Sequence, residues 1–579
     1  MIDNKDTNKA VSIHRMVFLL LAVVITAVGA YLRFWHIEDM PCGLFPDHAI
    51  SLLEAAKLPI QPFYYSYGSH EEGLFILLLK GVFAFLGQEW GFLFALTAFL
   101  GTLTIPIFIA SIRKTEGRFV ALIAGLVMAA SPWHIALSRS GFRMVMVPLV
   151  ITLFYWAIVS FFQKPSGKRA MVAGIFLGSG LYVYSSYSTA MPLFLLAVCA
   201  ISLLIWRFRA VQFVKVYKTQ LLVGMVALIL IVLPYAFFFT QHYQTLRGRM
   251  QQVSAFSGRS TKEGLSLVAG QLGQTLKGFF VEGDANWRHN FDTQPMIPPV
   301  FSLFFIVGIV TILVGKMPGG RVVDRRIYLL AFVIFLIPAV ATIEGAVPHG
   351  NRLLGVLPVV FLLTGIGAYA MLFVLLRLVR FLDKRGASTS FVSLVPVFFI
   401  GASLAGLAFY AHGIVTDAYN RPEIASYFRC DLTDAATYVL RDQGIRSQVA
   451  NGGKVYFIAS SYERISLDFF LLTDPYFGID ENAWREMQKK PSDGYAPVPT
   501  KIERIGKDTM GNVEISPGSL VIVPAYSEFN TGIPDALIPQ NEVLDGLKSR
   551  YQTLSLRWAF PAVIASRYPQ GMAFWVYSL

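Results

Sequence analysis

The feature that most constrains this chain is a series of long segments without a charged side chain. Ten of them occupy 16–32, 90–112, 119–138, 144–162, 171–206, 219–240, 295–315, 327–343, 353–376 and 386–416. About 20 apolar residues form a helix long enough to cross the hydrocarbon core, and a helix satisfies its own backbone in lipid. Segment 171–206 is long enough for two helices with a turn at 185–188. We therefore predict eleven membrane-crossing helices.

The net charge of +13 raises the question of a nucleic-acid partner. However, 55% of the residues are hydrophobic and only 15% are charged, whereas soluble proteins have about 25% charged residues. The basic residues lie in short loops between the apolar segments, which is typical of membrane orientation. We expect membrane lipids around the chain and no nucleic-acid partner.

Segment 73–88 decides the orientation, because Lys80 interrupts an otherwise apolar stretch. If it does not cross, the tail 1–15 and the loops 113–118, 163–169, 207–218, 316–326 and 377–385 share one side. Together they hold 21 basic residues, which indicates the cytoplasm. We predict an interfacial or re-entrant helix at 73–88, a cytoplasmic N-terminus and a C-terminus outside.

The expected fold is mainly α: a polytopic membrane helix bundle with a soluble α/β C-terminal domain. We assign 1–15 to a cytoplasmic tail, 16–416 to the transmembrane domain and 417–579 to the soluble domain. Strand-like runs at 454–459 and 520–524 and a helix at 433–441, capped by Asp431 or Thr433, support the α/β assignment.

Two cysteines, Cys42 and Cys430, fall on the outer side, where disulfides can form. A bridge would join the first loop to the C-terminal domain. Spacing alone does not pair two cysteines, so we expect separate thiols.

The outer loops 33–89, 138–143, 241–294 and 344–352 hold acids, histidines and arginines. Asp47 follows Pro46 and precedes an apparent helix at 49–56. Such a residue either caps the helix or acts as a catalytic base at the membrane surface.

Four motifs accompany this acid in order along the chain. They are Arg33-Phe34, SPWHIALSR at 131–139, GDANWRHN at 283–290 and PHGNRLLGVLP at 348–358. With an acid after a proline in the first loop, this pattern resembles the GT-C glycosyltransferases over about residues 15–410. It is most similar to the protein O-mannosyltransferase and aminoarabinose-transferase branch.

The resemblance implies a membrane glycosyltransferase that moves a sugar from a polyprenyl-phosphate carrier to a lipid, glycan or protein acceptor. The reaction would occur on the outer face of the cytoplasmic membrane, with Asp47 as general base. Two departures stand out. The mannosyltransferases have Asp-Glu where this chain has Asp47-His48, and the loop SRSGFRM lacks a carboxylate. An assisting role would then fall to Glu71 or Glu72, or be absent.

The departing lipid phosphate calls for cations, and the planar guanidinium group pairs with phosphate oxygens. The candidates are Arg139, Arg143, Arg288, His289 and Arg352. Arg352 could instead be a membrane-interface anchor, and Arg288 and His289 a solvated loop pair. Arg139 and Arg143 are four residues apart and could share a helix face, or Arg143 could cap the outer end of a span. A divalent metal is left open, with His70, Glu72 and His289 as candidate ligands, because their spacing forms no closed motif.

The alternative function is a polytopic transporter or a lipid-linked glycan flippase or ligase. Transporters place ionisable groups inside the membrane and often show inverted repeats. Here the spans carry no charge and no repeat is visible. The glycine-rich stretch 174–180 indicates close helix packing rather than a nucleotide loop. These features favour the enzyme.

Overall fold

The computed structural model divides into two compact units, which we describe separately. Unit 1 comprises Met1–Trp35, Leu96–Ala285 and His289–Val415, and unit 2 comprises His36–Ala95, Asn286–Arg288 and Thr416–Leu579. The structure describes residues 4–66, 69–243, 251, 253–315, 323–343, 345, 347–382, 389–451, 453–460, 462–473, 502–505, 510–526, 542–562, 564–568 and 572–579.

Long apolar helices make up most of unit 1. In chain order they are α1 (Asn4–Phe34), α4 (Gly91–Glu116), α5 (Arg118–Ala130), α6 (Pro132–Arg139), α7 (Met146–Gln163), α8 (Gly167–Ser179), α9 (Ser185–Val216), α10 (Lys218–Gln241), α11 (Thr261–Phe280), α12 (Pro299–Val314), α13 (Arg326–Val340), α14 (Leu357–Leu382) and α15 (Thr389–Tyr419).

Each of the eleven predicted spans coincides with a helix or, for 119–138, with the bent pair α5–α6. Within the described ranges, seven helices are long and apolar enough to cross a membrane, or eight if that bent pair counts as one span. Helices α12 and α13 are apolar but shorter, and α8 has 13 residues. The chain is a multi-pass membrane protein.

Glycines allow two helix pairs in unit 1 to pack with their backbones in contact. A Cβ on Gly174 of α8 would clash with the carbonyl of Gly224 on α10. Gly308 of α12 and Gly367 of α14 approach the facing backbone in the same way. Small residues at such contacts are typical of membrane helix pairs. The predicted packing role of the 174–180 stretch is therefore confirmed at Gly174.

A buried arginine supports the bend between α5 and α6. Pro132 has no N–H, so the carbonyl of Met128 lacks its helical donor. Arg33 Nη2 donates to Met128 O at 3.1 Å, and Nη1 donates to Ala129 O at 2.9 Å. The two helices meet at 56°. Arg33 thus donates to Met128 O, whose helical donor the proline removes, and to Ala129 O beside it.

Unit 2 combines the first loop with the C-terminal segment. The loop forms α2 (Pro46–Lys57), β1 (Phe63–Ser66), β2 (Ser69–Glu72) and α3 (Gly73–Leu86). The C-terminal segment forms α16 (Pro422–Phe428), α17 (Cys430–Arg441), α18 (Gln443–Ala450), β3 (Val455–Ile458), α19 (Arg464–Thr473), β4 (Ile502–Ile505), β5 (Leu520–Pro524), α20 (Glu542–Arg550), β6 (Ser555–Pro561) and β7 (Met572–Ser578).

The C-terminal strands form one five-stranded sheet in the order β4-β3-β5-β7-β6. Strand β3 runs parallel to β4 and β5, whereas β7 runs antiparallel to β5 and β6. Strands β3 and β5 are buried along their whole length, as their apolar sequences require. The strand-like runs at 454–459 and 520–524 and the α/β character are confirmed.

Helix α3 covers the segment predicted to lie in the interface. Its 14 residues span about 21 Å, less than the roughly 30 Å hydrocarbon core. Lys80 Nζ donates to the carbonyls of Ala55 and Leu58 at the end of α2. Lys80, the charge that interrupts the apolar segment, therefore binds α3 to the end of α2. This contact agrees with an interfacial helix, which stays a prediction.

The two outer cysteines form a disulfide, so the expectation of separate thiols was wrong. Cys42 and Cys430 are bonded with their Cα atoms 5.2 Å apart. The backbone N–H of Leu44 also donates to Thr433 Oγ1 at 2.9 Å. Sequence spacing could not reveal the pair, because 388 positions separate the two cysteines.

The predicted cap of the 433–441 helix was also wrong. Helix α17 begins at Cys430, and its N-cap is Arg429, which has a φ of +52°. Asp431 lies in the first turn and pairs with Arg429 Nε at 3.0 Å, and it accepts the N–H of Tyr526 at 2.9 Å. The side chain of Thr433 accepts the bond from Leu44 instead of capping.

Replacing Arg33 with Leu should destabilise unit 1 without changing the apolar character of α1. Two carbonyls would lose their donors, which costs roughly 1–3 kcal/mol each. We expect a clearly lower thermal unfolding midpoint of the detergent-solubilised protein. Arg15→Leu is the matched control, because Arg15 is exposed on the same helix. Equal midpoints for the two variants would contradict the role assigned to Arg33.

Candidate functional site

The sequence-predicted site residues are divided between the two units. Asp47, Glu71, Glu72 and Arg288 belong to unit 2, whereas Arg139, Arg143, His289 and Arg352 belong to unit 1. His70 lies on β2, and its side chain is outside the described part of the structure. Each group is therefore described within its own unit.

Asp47 lies in the first turn of α2 but does not cap it. The N-cap is Phe45 and Pro46 opens the helix, so the cap interpretation of Asp47 was wrong. Proline suits this position because its missing N–H has no helical partner there. The carboxylate is partly exposed, and its Oδ1 accepts a hydrogen bond from the Tyr462 hydroxyl at 2.5 Å. The helix N-terminus also favours its negative charge.

An arginine stands beside this carboxylate-bearing turn. The Arg288 guanidinium lies over the ring of Phe45, 3.8 Å from its centroid. Its Nε and backbone N–H both donate to Asn286 Oδ1, at 3.2 and 3.0 Å. Tyr462 meets the same Phe45 ring edge-on, with centroids 5.7 Å apart. Within unit 2, Phe45 therefore links Arg288 to the Asp47–Tyr462 pair.

His48 occupies the position where the mannosyltransferase pattern has Glu. The side chain is buried, and its Nδ1 accepts the backbone N–H of Phe45 at 3.3 Å. The ring stacks on Phe428 at 5.9 Å and meets Phe94 edge-on at 5.3 Å. His48 thus packs the start of α2 against its neighbours, which accounts for this departure from the family pattern.

The acids that follow in the first loop pack behind α2. Ser51 donates to Glu71 Oε2 at 2.7 Å, and Glu71 is buried. Glu72 ends β2 opposite Phe63 and is partly exposed. Glu54, two turns after Asp47, is fully buried and was missed by the sequence analysis. Burial, together with the nearby Glu54 charge, raises the pKa of Tyr64.

In unit 1, Arg139 contacts the end of α1. Its Nη1 donates to the carbonyls of Leu32 and Arg33, at 3.2 and 2.9 Å. These are among the last carbonyls of the helix, which have no intrahelical donor. Arg143, one turn further on, lies over the ring of Tyr184 at 5.9 Å. The two arginines thus have different partners despite their spacing of four.

A cluster of two histidines and one acid forms where two predicted motifs meet in unit 1. His289 Nδ1 lies 2.8 Å from Asp284 Oδ2, and the backbone N–H of Gly350 donates to the same oxygen at 2.7 Å. The His349 ring stacks on His289 with centroids 4.9 Å apart. Asp284 is almost fully buried. His289 is a predicted site residue, whereas Asp284 and His349 are not, although they lie in the motifs at 283–290 and 348–358.

Arg352 follows this cluster by one turn. Its Nη1 donates to Thr342 Oγ1 at 2.6 Å, and the side chain is partly exposed. The backbone N–H of Arg352 donates to His349 O at 3.1 Å. The turn that carries His349 therefore also sets the position of Arg352.

The contacts of Arg139 and Arg143 predict different effects of substitution. Arg139→Ala should lower the thermal midpoint in detergent, because buried carbonyls at the end of α1 would lose a charged donor. Arg143→Ala should change it little, since a partly exposed cation–π contact contributes about 0.5–1 kcal/mol. A larger loss for Arg143→Ala than for Arg139→Ala would reverse this assignment.

Comparisons with known proteins give a fold. No protein-family model matches the chain, and no curated protein matches by sequence. Among solved structures, the chain is similar to ArnT from Cupriavidus metallidurans bound to undecaprenyl phosphate, with a TM-score of 0.53, 12% identity and 97% of both chains covered.

Two further structures are less similar. ArnT from Cupriavidus metallidurans in the apo state has a TM-score of 0.48 and 13% identity over 98% of both chains. The Archaeoglobus fulgidus oligosaccharyltransferase tethered with an acceptor peptide has a TM-score of 0.45 and 15% identity, covering 78% of this chain and 63% of its own. Of these three structures, the first has a TM-score above 0.5. On that match along nearly its whole length, the chain has the GT-C fold.

Proposed function

We propose that this chain is a glycosyltransferase that moves a sugar from a polyprenyl-phosphate carrier to an acceptor on the outer face of the cytoplasmic membrane. The observation that carries the proposal is the 2.5 Å hydrogen bond from the Tyr462 hydroxyl to Asp47 Oδ1. A carboxylate that accepts a hydroxyl hydrogen in this geometry is arranged as a general base for an acceptor hydroxyl. In the proposed reaction, the acceptor hydroxyl takes the place of the Tyr462 hydroxyl at Asp47.

The reaction then balances with Asp47 as the only proton acceptor. The acceptor oxygen attacks the anomeric carbon and its proton passes to Asp47. The bond between the anomeric carbon and the lipid phosphate oxygen breaks, and the phosphate leaves with the bonding electrons. A new glycosidic bond and a free polyprenyl phosphate result.

Charge develops on the departing phosphate, and arginines can stabilise it. Arg143 and Arg352 of unit 1 and Arg288 of unit 2 are the candidates that this proposal retains first. All five side chains have partners, but Arg139 donates to backbone carbonyls that end α1 and His289 bonds to the buried Asp284, so these two also hold the fold together. Arg143, Arg288 and Arg352 contact the side chains of Tyr184, Asn286 and Thr342. Glu71 binds Ser51 on the same helix as Asp47, which supports a positioning role.

The direction of transfer follows from the orientation of the chain. The 21 basic residues of the tail and short loops favour a cytoplasmic location for those segments. The first loop and the C-terminal segment, which together make up most of unit 2, then lie outside. The Cys42–Cys430 disulfide supports this, because disulfides persist in oxidising compartments. The tail 1–15, membrane domain 16–416 and outer domain 417–579 are part of the same proposal.

Asp47→Asn should abolish transfer while the protein still folds. Loss of a general base lowers the rate by about 10²–10⁴. The change keeps the shape of the side chain and an oxygen that can accept from Tyr462. Transfer can be followed by mass spectrometry of surface glycans in cells that lack the native protein and carry each variant.

Two controls sharpen this experiment. Tyr462→Phe keeps the carboxylate and the ring on Phe45, so transfer should persist. Asp39→Asn alters another first-loop acid, which pairs with His36 at the surface, and should leave transfer near the wild-type level. Wild-type turnover in Asp47→Asn at matched expression would refute the assignment of the base.

Arg352→Ala should weaken the use of the lipid-linked donor more than that of the acceptor. A partly exposed guanidinium suits a phosphate, and its loss should raise the KM for donor several-fold or lower kcat. Thr342→Val is the matched control, because it removes the hydrogen bond between Arg352 and Thr342 but keeps the charge. If Thr342→Val reproduces the whole effect, or if donor kinetics do not change in Arg352→Ala, Arg352 has only an anchoring role.

A further inference from the structure

Asp284, His289 and His349 bring three metal-type donor atoms together in unit 1. One donor atom from each side chain lies within 4.8 Å of those from the other two. Asp284 and His289 are buried and His349 is partly exposed. Imidazole nitrogens and a carboxylate oxygen are ligands that proteins use for zinc.

The cluster is held in place by backbone groups. Asp284 Oδ2 accepts from both His289 Nδ1 and the N–H of Gly350. A Cβ on Gly350 would lie 3.1 Å from His289 Cβ and 3.2 Å from Asp284 Oδ2, so a side chain there would press on the cluster. The indole N–H of Trp133 donates to Gly350 O at 3.3 Å. The carboxylate and the His289 ring therefore have a defined position.

We propose that Asp284, His289 and His349 form a binding site for a zinc ion. In the metal-bound site, zinc takes the place of the proton between His289 Nδ1 and Asp284 Oδ2, so both atoms present lone pairs to the metal and His289 carries its proton on Nε2. His349 supplies a second nitrogen, and water completes the coordination together with the carboxylate. Imidazole ligands favour zinc over magnesium or calcium, which prefer oxygen.

The geometry requires a small rearrangement. Ligand distances of about 2.0–2.1 Å in a tetrahedral site place donor atoms roughly 3.4 Å apart. Asp284 Oδ2 and His289 Nδ1 must therefore move apart from their present 2.8 Å, while the donor atom of His349, at most 4.8 Å from the other two, must come closer by at most about 1.4 Å. His349 can supply this shift by rotation, because it is partly exposed and belongs to a turn rather than a helix. The site differs from the metal candidates predicted from sequence, since it uses neither His70 nor Glu72.

A purely structural explanation makes a different prediction about His349. The hydrogen bonds among Asp284, His289 and Gly350 join two loops without any contribution from the His349 side chain. If the cluster only joins these loops, removing the His349 imidazole changes no metal content. If the cluster binds zinc, the same change removes a ligand while the loop contact remains.

The test is the zinc content of the full-length protein purified in detergent through a tag that does not bind metal. Elemental analysis should find about one zinc per chain in the wild type and a loss of most of it in His349→Ala and in His289→Ala. His349→Gln replaces the ligand with a polar side chain of similar reach and serves if the alanine variant does not fold. His36→Ala should retain zinc, although His36 also lies near two acids at the surface.

A second readout does not depend on purification history. After chelation, added ZnCl2 should raise the thermal midpoint of the wild type by a few degrees, because a ligand of the folded state stabilises it. MgCl2 at the same concentration should not, and His349→Ala should not respond to ZnCl2. Absence of zinc from the wild type with no response to ZnCl2 overturns the proposal, as does full zinc content in His289→Ala/His349→Ala. Neither measurement depends on sugar transfer, so the proposed function stands or fails separately.

Discussion

The hydrogen bonds of Arg33 are the interaction on which the membrane unit depends. Apolar helices in lipid cannot leave carbonyls without donors, yet Pro132 removes one donor at the bend between α5 and α6. Arg33 supplies donors to Met128 O and Ala129 O from the end of a neighbouring helix. The Arg33 side chain is tolerated in this buried position because several acceptors surround it, including Ser138 Oγ at 3.2 Å.

The bend that Arg33 stabilises also determines where later residues lie. Helix α6 turns away from α5 and carries Trp133 and Arg139. Arg139 donates to the carbonyl of Arg33 at the end of α1, and Trp133 donates to the carbonyl of Gly350 beside Asp284. One proline and one arginine therefore connect the first helix to the loop cluster of unit 1. Residues that resemble a catalytic family motif serve, in this part of the chain, to build its scaffold.

The sequence predicted the helices well because their cause is local. Each uncharged segment fulfils the length and backbone requirements of a helix in lipid. Short apolar runs likewise predict strands β3 and β5. The errors concern contacts that span large separations or depend on side-chain direction. The N-cap of α17 is Arg429, which has a positive φ, and not Asp431 as predicted. Cys42 is bonded to Cys430, although we predicted separate thiols.

The candidate site was predictable in part for the same reason. Asp47 is recognisable from a proline and a helix start, but its partner Tyr462 lies 415 residues away. Asp284 and His349 were quoted within motifs without being selected, because only the fold brings them to His289. A histidine close to an acid in sequence does not by itself predict a site. In the fold, the hydrogen bond from His289 to the buried Asp284 identifies the cluster.

The Cys42–Cys430 bond has a consequence for biogenesis. At about 5–20 residues per second, a ribosome needs roughly 20–80 s to synthesise the 388 positions between the two thiols. During that time Cys42 has no native partner, so the segment around Asp47 reaches its final covalent state only after Cys430 has been synthesised. A nascent or prematurely terminated polypeptide lacks the cross-link, and quality-control machinery that senses exposed thiols could distinguish it from the mature protein.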